Sequence, residues 1–89
     1  MASYAVELTR RAQKQYKELD KPVRKRIDVL LAALTRDPRP ADAKPLTGEG
    51  DLLRARIGDW RIIYRVDHGR ILVLVLEIGH RGQVYRRMR

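Results

Sequence analysis

The chain has 89 residues and a formal net charge of +9, with a sequence pI near 10.7, enough for one domain over residues 1–89 around one core. It has no cysteine, which excludes disulfides and thiolate chemistry. No apolar run reaches bilayer-spanning length, and "MASYAVELTRRAQK" lacks the basic region, apolar stretch and cleavage site of a secretory signal, so a cytoplasmic protein is the simple expectation.

"YAVEL" (4–8) alternates weakly and ends at Thr9, a good N-cap for the segment that follows. "RRAQKQYKEL" sets Ala12, Tyr16 and Leu19 along one side of a short helix. "DKPVRKRIDVLLAALTRDP" is the clearer helix, with Asp20 as cap and Pro22 in its first turn. Val23, Ile27, Leu30, Leu31 and Leu34 recur there at helical spacing, and Asp37-Pro38 ends it. So little chain separates the two helices that they form a hairpin. Residues 38–51, "PRPADAKPLTGEGD", hold three of the four prolines and two glycines, the composition of a loop.

Three strands follow, "LLRARI", "WRIIYRV" and "ILVLVLEI", joined through Gly58-Asp59 and His68-Gly69 as tight turns. Strands joined this closely are antiparallel. A brief strand, "QVYRR", closes the chain. The order β-α-α-β-β-β-β gives an α+β fold, a helical hairpin over one face of a twisted antiparallel sheet. A two-residue turn at 58–59 pairs 57 with 60, 56 with 61 and 55 with 62. Side chains alternate along a strand, so Leu53, Ala55, Ile57, Ile62, Tyr64 and Val66 lie under the helices while Arg54, Arg56, Arg61 and Arg65 emerge opposite. The third long strand, apolar on both faces, reads as a covered, central strand.

The charge is uneven. Residues 52–89 hold nine arginines, no lysine and three acids, a balance of +6, against eleven basic and eight acidic residues, or +3, in the first 51. Guanidinium groups match phosphate oxygens in a two-pronged way that lysine does not. Single arginines on a solvated sheet face usually only keep a protein soluble. Arg56 opposite Arg61, with Arg54 alongside, Arg81 arriving from the last turn and Tyr85 offering a ring, instead suggest anion recognition. The cost of opposing like charges is relieved when a phosphate sits between them. Two histidines, His68 and His80, make no zinc site, and His68 reads as a turn residue. No phosphate loop, nucleophile elbow or paired carboxylate occurs.

The block "LLRARIGDWRIIYRVDHGRILVLVLEIGHRGQVYRRM", preceded by "AKPLTGEGDL", resembles the C-terminal half of the RelE/ParE toxin superfamily. The first strand and helical hairpin match in order and length. The RelE-like branch cleaves messenger RNA in the ribosomal decoding site, whereas the ParE-like branch inhibits DNA gyrase without nuclease residues. The resemblance assigns Arg54 and Arg56 to the two basic positions before the hairpin, Arg61 to the arginine after its aromatic residue, His80 and Arg81 to the basic pair after the aliphatic strand, and Tyr85 to the C-terminal tyrosine. The resemblance breaks at positions 54, 56 and 80, where the best-known member of that superfamily has lysines. It implies a toxin of a type II toxin–antitoxin system with a RelB-like antitoxin partner, ribosome and messenger RNA as targets, toxin–antitoxin hetero-oligomers and no membrane. The alternatives are a gyrase-inhibiting toxin or a non-catalytic nucleic-acid- or partner-binding relative.

The implied reaction is attack of a ribose 2′-hydroxyl on its own 3′-phosphate, needing no metal and no cofactor if the protein supplies charge. Arg56 and Arg61 are expected at the phosphate, Arg81 at the leaving 5′-oxygen and Tyr85 on a base. Arg54, Arg65 and Lys44 are expected to bind RNA. Arginine stays protonated and is a poor base, so His80, alone or with Tyr85, is the expected proton acceptor or relay, the alternative being a turn histidine with no chemistry.

Overall fold

A computed structural model describes residues 3–40, 43–45 and 51–80. The elements are β1 (Ala5–Leu8), α1 (Arg10–Lys17), α2 (Lys21–Arg36), β2 (Lys44–Pro45), β3 (Leu53–Ile57), β4 (Trp60–Asp67) and β5 (Leu72–His80). The five strands form one sheet in the order β1-β5-β4-β3-β2. The expected strand over 83–87 lies outside the described residues.

Helix α1 starts where its cap is. The Thr9 hydroxyl accepts the Ala12 N–H at 3.2 Å, filling one of the donors that a helix start leaves open. Lys14 and Lys17 stand in the last turn, where cations suit the helix dipole. Asp20 holds the N-cap position of α2 with extended backbone, but its side chain makes no capping hydrogen bond. Pro22 in the first turn, whose ring presets helical φ, marks the start as expected.

Ile27 and Leu34 of α2 are fully buried, and Val23, Leu30 and Leu31 pack partly buried around them. With Ala12 and Leu19 they meet Leu53, Ala55, Ile62, Tyr64, Val73, Val75 and Ile78 of the sheet. Burial of each large aliphatic is worth roughly 1.5–3 kcal/mol, so this layer fixes which sheet face the helices cover. Tyr64 is buried without loss because its hydroxyl donates to the Pro38 carbonyl at 2.7 Å.

Three features depart from the sequence reading. Strand β1 joins β5 in parallel, so β5 lies between β1 and β4, an interior strand as its apolar faces require, while β4 is the middle one. Within 38–51, Lys44 and Pro45 pair with Arg54 and Leu53, adding a two-residue edge strand to the loop. The second turn is longer than two residues: Asp67 pairs with Leu72, leaving four residues between them. Asp67 Oδ1 accepts the Arg70 N–H at 3.0 Å, the Ala5 N–H donates to the Ile71 carbonyl at 2.9 Å, and Ile71 is held at φ +53°.

One irregularity governs the rest. Pairing of β4 with β5 runs from Asp67–Leu72 to Tyr64–Val75, then resumes at Ile63–Glu77. Leu76 is the extra residue of a β-bulge, and beyond it the side-chain alternation of β5 is inverted.

Candidate active site

The β3–β4 turn forms as its residues dictate. Gly58 takes φ +58° while Asp59 does not, the type II′ pattern that puts glycine first. The register then pairs Ile57 with Trp60, Arg56 with Arg61, Ala55 with Ile62 and Arg54 with Ile63. Ala55 and Ile62 belong to the helix-side core, so Arg54, Arg56 and Arg61 stand on the opposite face. Side chains directly opposite in such a pair have Cβ atoms about 5 Å apart.

Lys44 pairs with Arg54 and therefore shares its face. Arg65, opposite Leu74, lies on the same side further along β4. Two basic rows result, Arg56–Arg61 near the turn and Lys44–Arg54 beside it. Arg56, Arg65 and Lys44 are exposed, whereas Arg54 and Arg61 are half-buried. Five of the residues assigned from sequence thus occupy one surface. A surface of this kind holds phosphate oxygens by paired charged hydrogen bonds and stabilises added negative charge at phosphorus.

His80 is not among them. It pairs with Trp60 and meets its ring edge-on, 5.4 Å between centroids. Trp60 packs against the helix-side core, so the imidazole lies across the sheet from Arg61, whose own partner is Gly79. Plain alternation from Val73 and Val75 carries residue 80 to the arginine face; the bulge at Leu76 reverses it. The role of proton acceptor expected for His80 does not fit this position. Arg81 and Tyr85 lie outside the described residues.

His68 sits in the turn as expected, its Nδ1 sharing a hydrogen bond with the Tyr4 hydroxyl at 2.8 Å. It borders a cleft of about 260 Å³ with Arg39, Pro45, Asp51, Leu52, Leu53 and Val66. That cleft lies toward the far end of β4 from Arg61, with Val66 about 17 Å along the strand at its rise per residue. Among the described residues no cluster of histidine and acidic side chains could hold a metal ion, and no helix is long and apolar enough to cross a membrane.

Sequence reasoning passed over Glu77, which is only 1 % exposed. The signal was present: one acid in the aliphatic run "ILVLVLEIG". Its carboxylate meets Arg11 at 3.0 Å and Gln15 Nε2 at 3.2 Å.

A helical hairpin on one face of the sheet and basic rows on the other is the architecture of a small toxin class, and the comparisons identify it. The chain matches the family described as the ParE toxin of type II toxin–antitoxin systems over residues 6–85. It is 34 % identical over 62 residues to toxin RelG of Mycobacterium tuberculosis, covering 68 % of this chain and 70 % of RelG. Its fold is similar to a chain of the toxin–antitoxin complex RelBE2 of M. tuberculosis, with a TM-score of 0.79, 28 % identity and coverage of 89 % and 99 % of the two chains. A chain of the archaeal RelE–RelB complex of Pyrococcus horikoshii is similar at a TM-score of 0.77 and 30 % identity, with 91 % and 98 % covered. The protein belongs to the RelE/ParE superfamily of type II toxin–antitoxin toxins.

Proposed function

We propose that this toxin is a metal-independent endoribonuclease that cuts messenger RNA on the ribosome and so stops translation. The observation that carries the reading is the pairing of Arg56 with Arg61. Two guanidinium groups set opposite each other repel in the free protein, and a phosphodiester between them turns that repulsion into two-sided attraction.

In the proposed reaction the 2′-oxygen attacks the adjacent phosphorus and the bond to the 5′-oxygen breaks. A 2′,3′-cyclic phosphate and a free 5′-hydroxyl result. Arg56 and Arg61 hold the non-bridging oxygens as their charge grows, the kind of stabilisation commonly worth a few kcal/mol per donor. Arg54 and Lys44, one row away, bind a flanking phosphate, and Arg65 extends the track. Arg81 serves the leaving 5′-oxygen and Tyr85 stacks on a base, an interaction worth roughly 1–3 kcal/mol.

Arginine does not take the 2′-proton, since it stays charged, and His80 is turned away beside Trp60. The proton passes to water while another is returned to the 5′-oxygen. Such chemistry leans on charge and on placement of the nucleotide by the ribosome; orientation contributes roughly 7–11 kcal/mol in favourable cases. Partnership with a RelB-like antitoxin follows the relatives, which are toxin–antitoxin complexes. An acidic antitoxin segment over the arginine face would silence it.

Inducible expression followed by mapping of messenger 5′ ends tests the reading. Wild type should arrest growth and generate new ends, and Arg61→Ala and Arg81→Ala should lose both effects. The matched family description names ParE, which favours a second reading, inhibition of DNA gyrase without RNA cleavage. Growth arrest with DNA damage and intact messengers would select that one.

A further inference from the structure

The aliphatic sequence of β5 is interrupted once, by Glu77, and burial of a carboxylate is costly unless its lone pairs are filled. Strict alternation from Val73 and Val75 would carry Glu77 into the core opposite Ile62. The bulge prevents this: Ile78, 2 % exposed, takes the place opposite Ile62 instead. Glu77 falls beside Ile63, and its carboxylate is taken up at the margin of the strand.

That margin is where β1 has stopped, its last pair being Leu8 with Val75. Helix α1 replaces the missing strand. Thr9 gives its N–H to the Val75 carbonyl at 2.9 Å and its hydroxyl to the Leu76 carbonyl at 3.2 Å. Further along α1, the Gln15 amide is used at both ends: Oε1 accepts the Ile78 N–H at 2.8 Å and Nε2 donates to Glu77 at 3.2 Å. The Glu77 carboxylate, by accepting from Nε2, holds the amide in the orientation that presents Oε1 to the Ile78 N–H. Arg11, one turn back along α1, adds a charged contact to the same carboxylate oxygen of Glu77 at 3.0 Å.

We propose that Glu77 is a positioning residue that sets the register of β5, deciding which side chains the strand delivers to the arginine rows. In the held register Gly79, with no side chain, stands opposite Arg61 and leaves room for a phosphate. His80 is kept on the other face. Without the bulge Ile78 stands opposite Arg61 and Gly79 opposite Trp60, which fills the approach. The consequence for catalysis rests on the nuclease reading above; the register itself does not.

The test is to record cross-strand proton contacts by NMR for wild type, Glu77→Gln and Glu77→Val. Wild type and Glu77→Gln, which keeps an acceptor for Gln15, should show contacts of Trp60 with His80 and of Ile62 with Ile78. Glu77→Val suits the core and gives Gln15 nothing to bind. It should instead show contacts of Trp60 with Gly79 and of Ile62 with the substituted side chain at position 77. Its messenger cleavage should fall roughly 100-fold, as expected of a misplaced site. Retention of the Trp60–His80 contact in Glu77→Val overturns the proposal. If that variant does not fold, Gln15→Ala decides: exchange of the Ile78 amide should quicken about tenfold relative to Val73 and Val75, and unchanged exchange overturns it. The NMR and exchange readouts are taken without RNA, so wild type that keeps the register yet cuts no messenger would defeat the nuclease reading and leave this one standing.

Discussion

Ile71 carries the clearest strain among the described residues. It is a non-glycine residue at positive φ, +53°, a region that β-branched side chains avoid at a cost of roughly 1–2 kcal/mol. Its backbone carbonyl, which accepts the Ala5 N–H, is what the turn needs; its 40 %-exposed side chain is not. Ile71→Asn should therefore raise stability by about 1 kcal/mol in urea unfolding, since asparagine tolerates this conformation. Tyr16 offers a second test. Its hydroxyl donates to Asp28 Oδ1 at 2.6 Å, and that bond, with burial and the Asp28 charge, raises the phenol above its ordinary pKa against a smaller opposing effect of Arg24. The raised folded-state value makes the contribution fully present below the ordinary phenol pKa and lost as pH climbs through the folded one. Tyr16→Phe should cost about 1 kcal/mol at neutral pH, and the gap between the two proteins should close in alkaline unfolding titrations. At this scale the arginines were legible in the sequence because the turn fixes their face. His80 was not. Its face depends on a bulge in a different strand from the turn's own, and the bulge depends on a helix side chain, Gln15, that no strand pattern reveals.

At the scale of elements, the β3–β4 hairpin is the part of the molecule that serves charge before stability. Glycine-first turn chemistry and a two-residue period specify its register, and the helices confirm that register by burying Ala55 and Ile62. That register sets Arg56 directly opposite Arg61, a placement of like charges that ordinarily costs stability. Arg56→Ala should stabilise the free protein by a few tenths of a kcal/mol at low ionic strength, and the gain should shrink in urea unfolding at high salt as screening removes the repulsion. Loss of stability in Arg56→Ala would mean that the two guanidinium groups are not in conflict. The helical hairpin was readable from its apolar stripe, and the antiparallel strands from their tight turns. The parallel docking of β1 onto β5 was not, because four weakly alternating residues carry no mark of their partner. Nor was the four-residue turn, which is shaped by Asp67 and by hydrogen bonding to β1 rather than by His68-Gly69.

Across the whole molecule, the charge of +9 provides attraction to any polyanion, and the arginine rows give it a place to act. Among the described residues the helices pack on the face of the sheet opposite the arginine rows, so under the proposed function the layer order separates folding from binding. Binding of an uncleavable RNA carrying 2′-deoxy sugars should weaken as salt rises, with log K falling linearly in log salt. Arg54→Ala should lower the steepness of that line by roughly 0.7, the share of one phosphate contact on a single strand. Filter binding over a range of ionic strengths reads this directly, and an unchanged slope would remove Arg54 from the phosphate track. In the proposed reaction Arg56 and Arg61 close on one phosphodiester while its 2′-oxygen displaces the 5′-oxygen. Purified toxin added to programmed ribosomes tests it most directly, with the messenger ends analysed for 2′,3′-cyclic phosphate. Wild type should yield cyclic-phosphate ends and Arg61→Ala should yield few or none, whereas an intact messenger with wild type, or undiminished cutting by Arg61→Ala, would contradict the account.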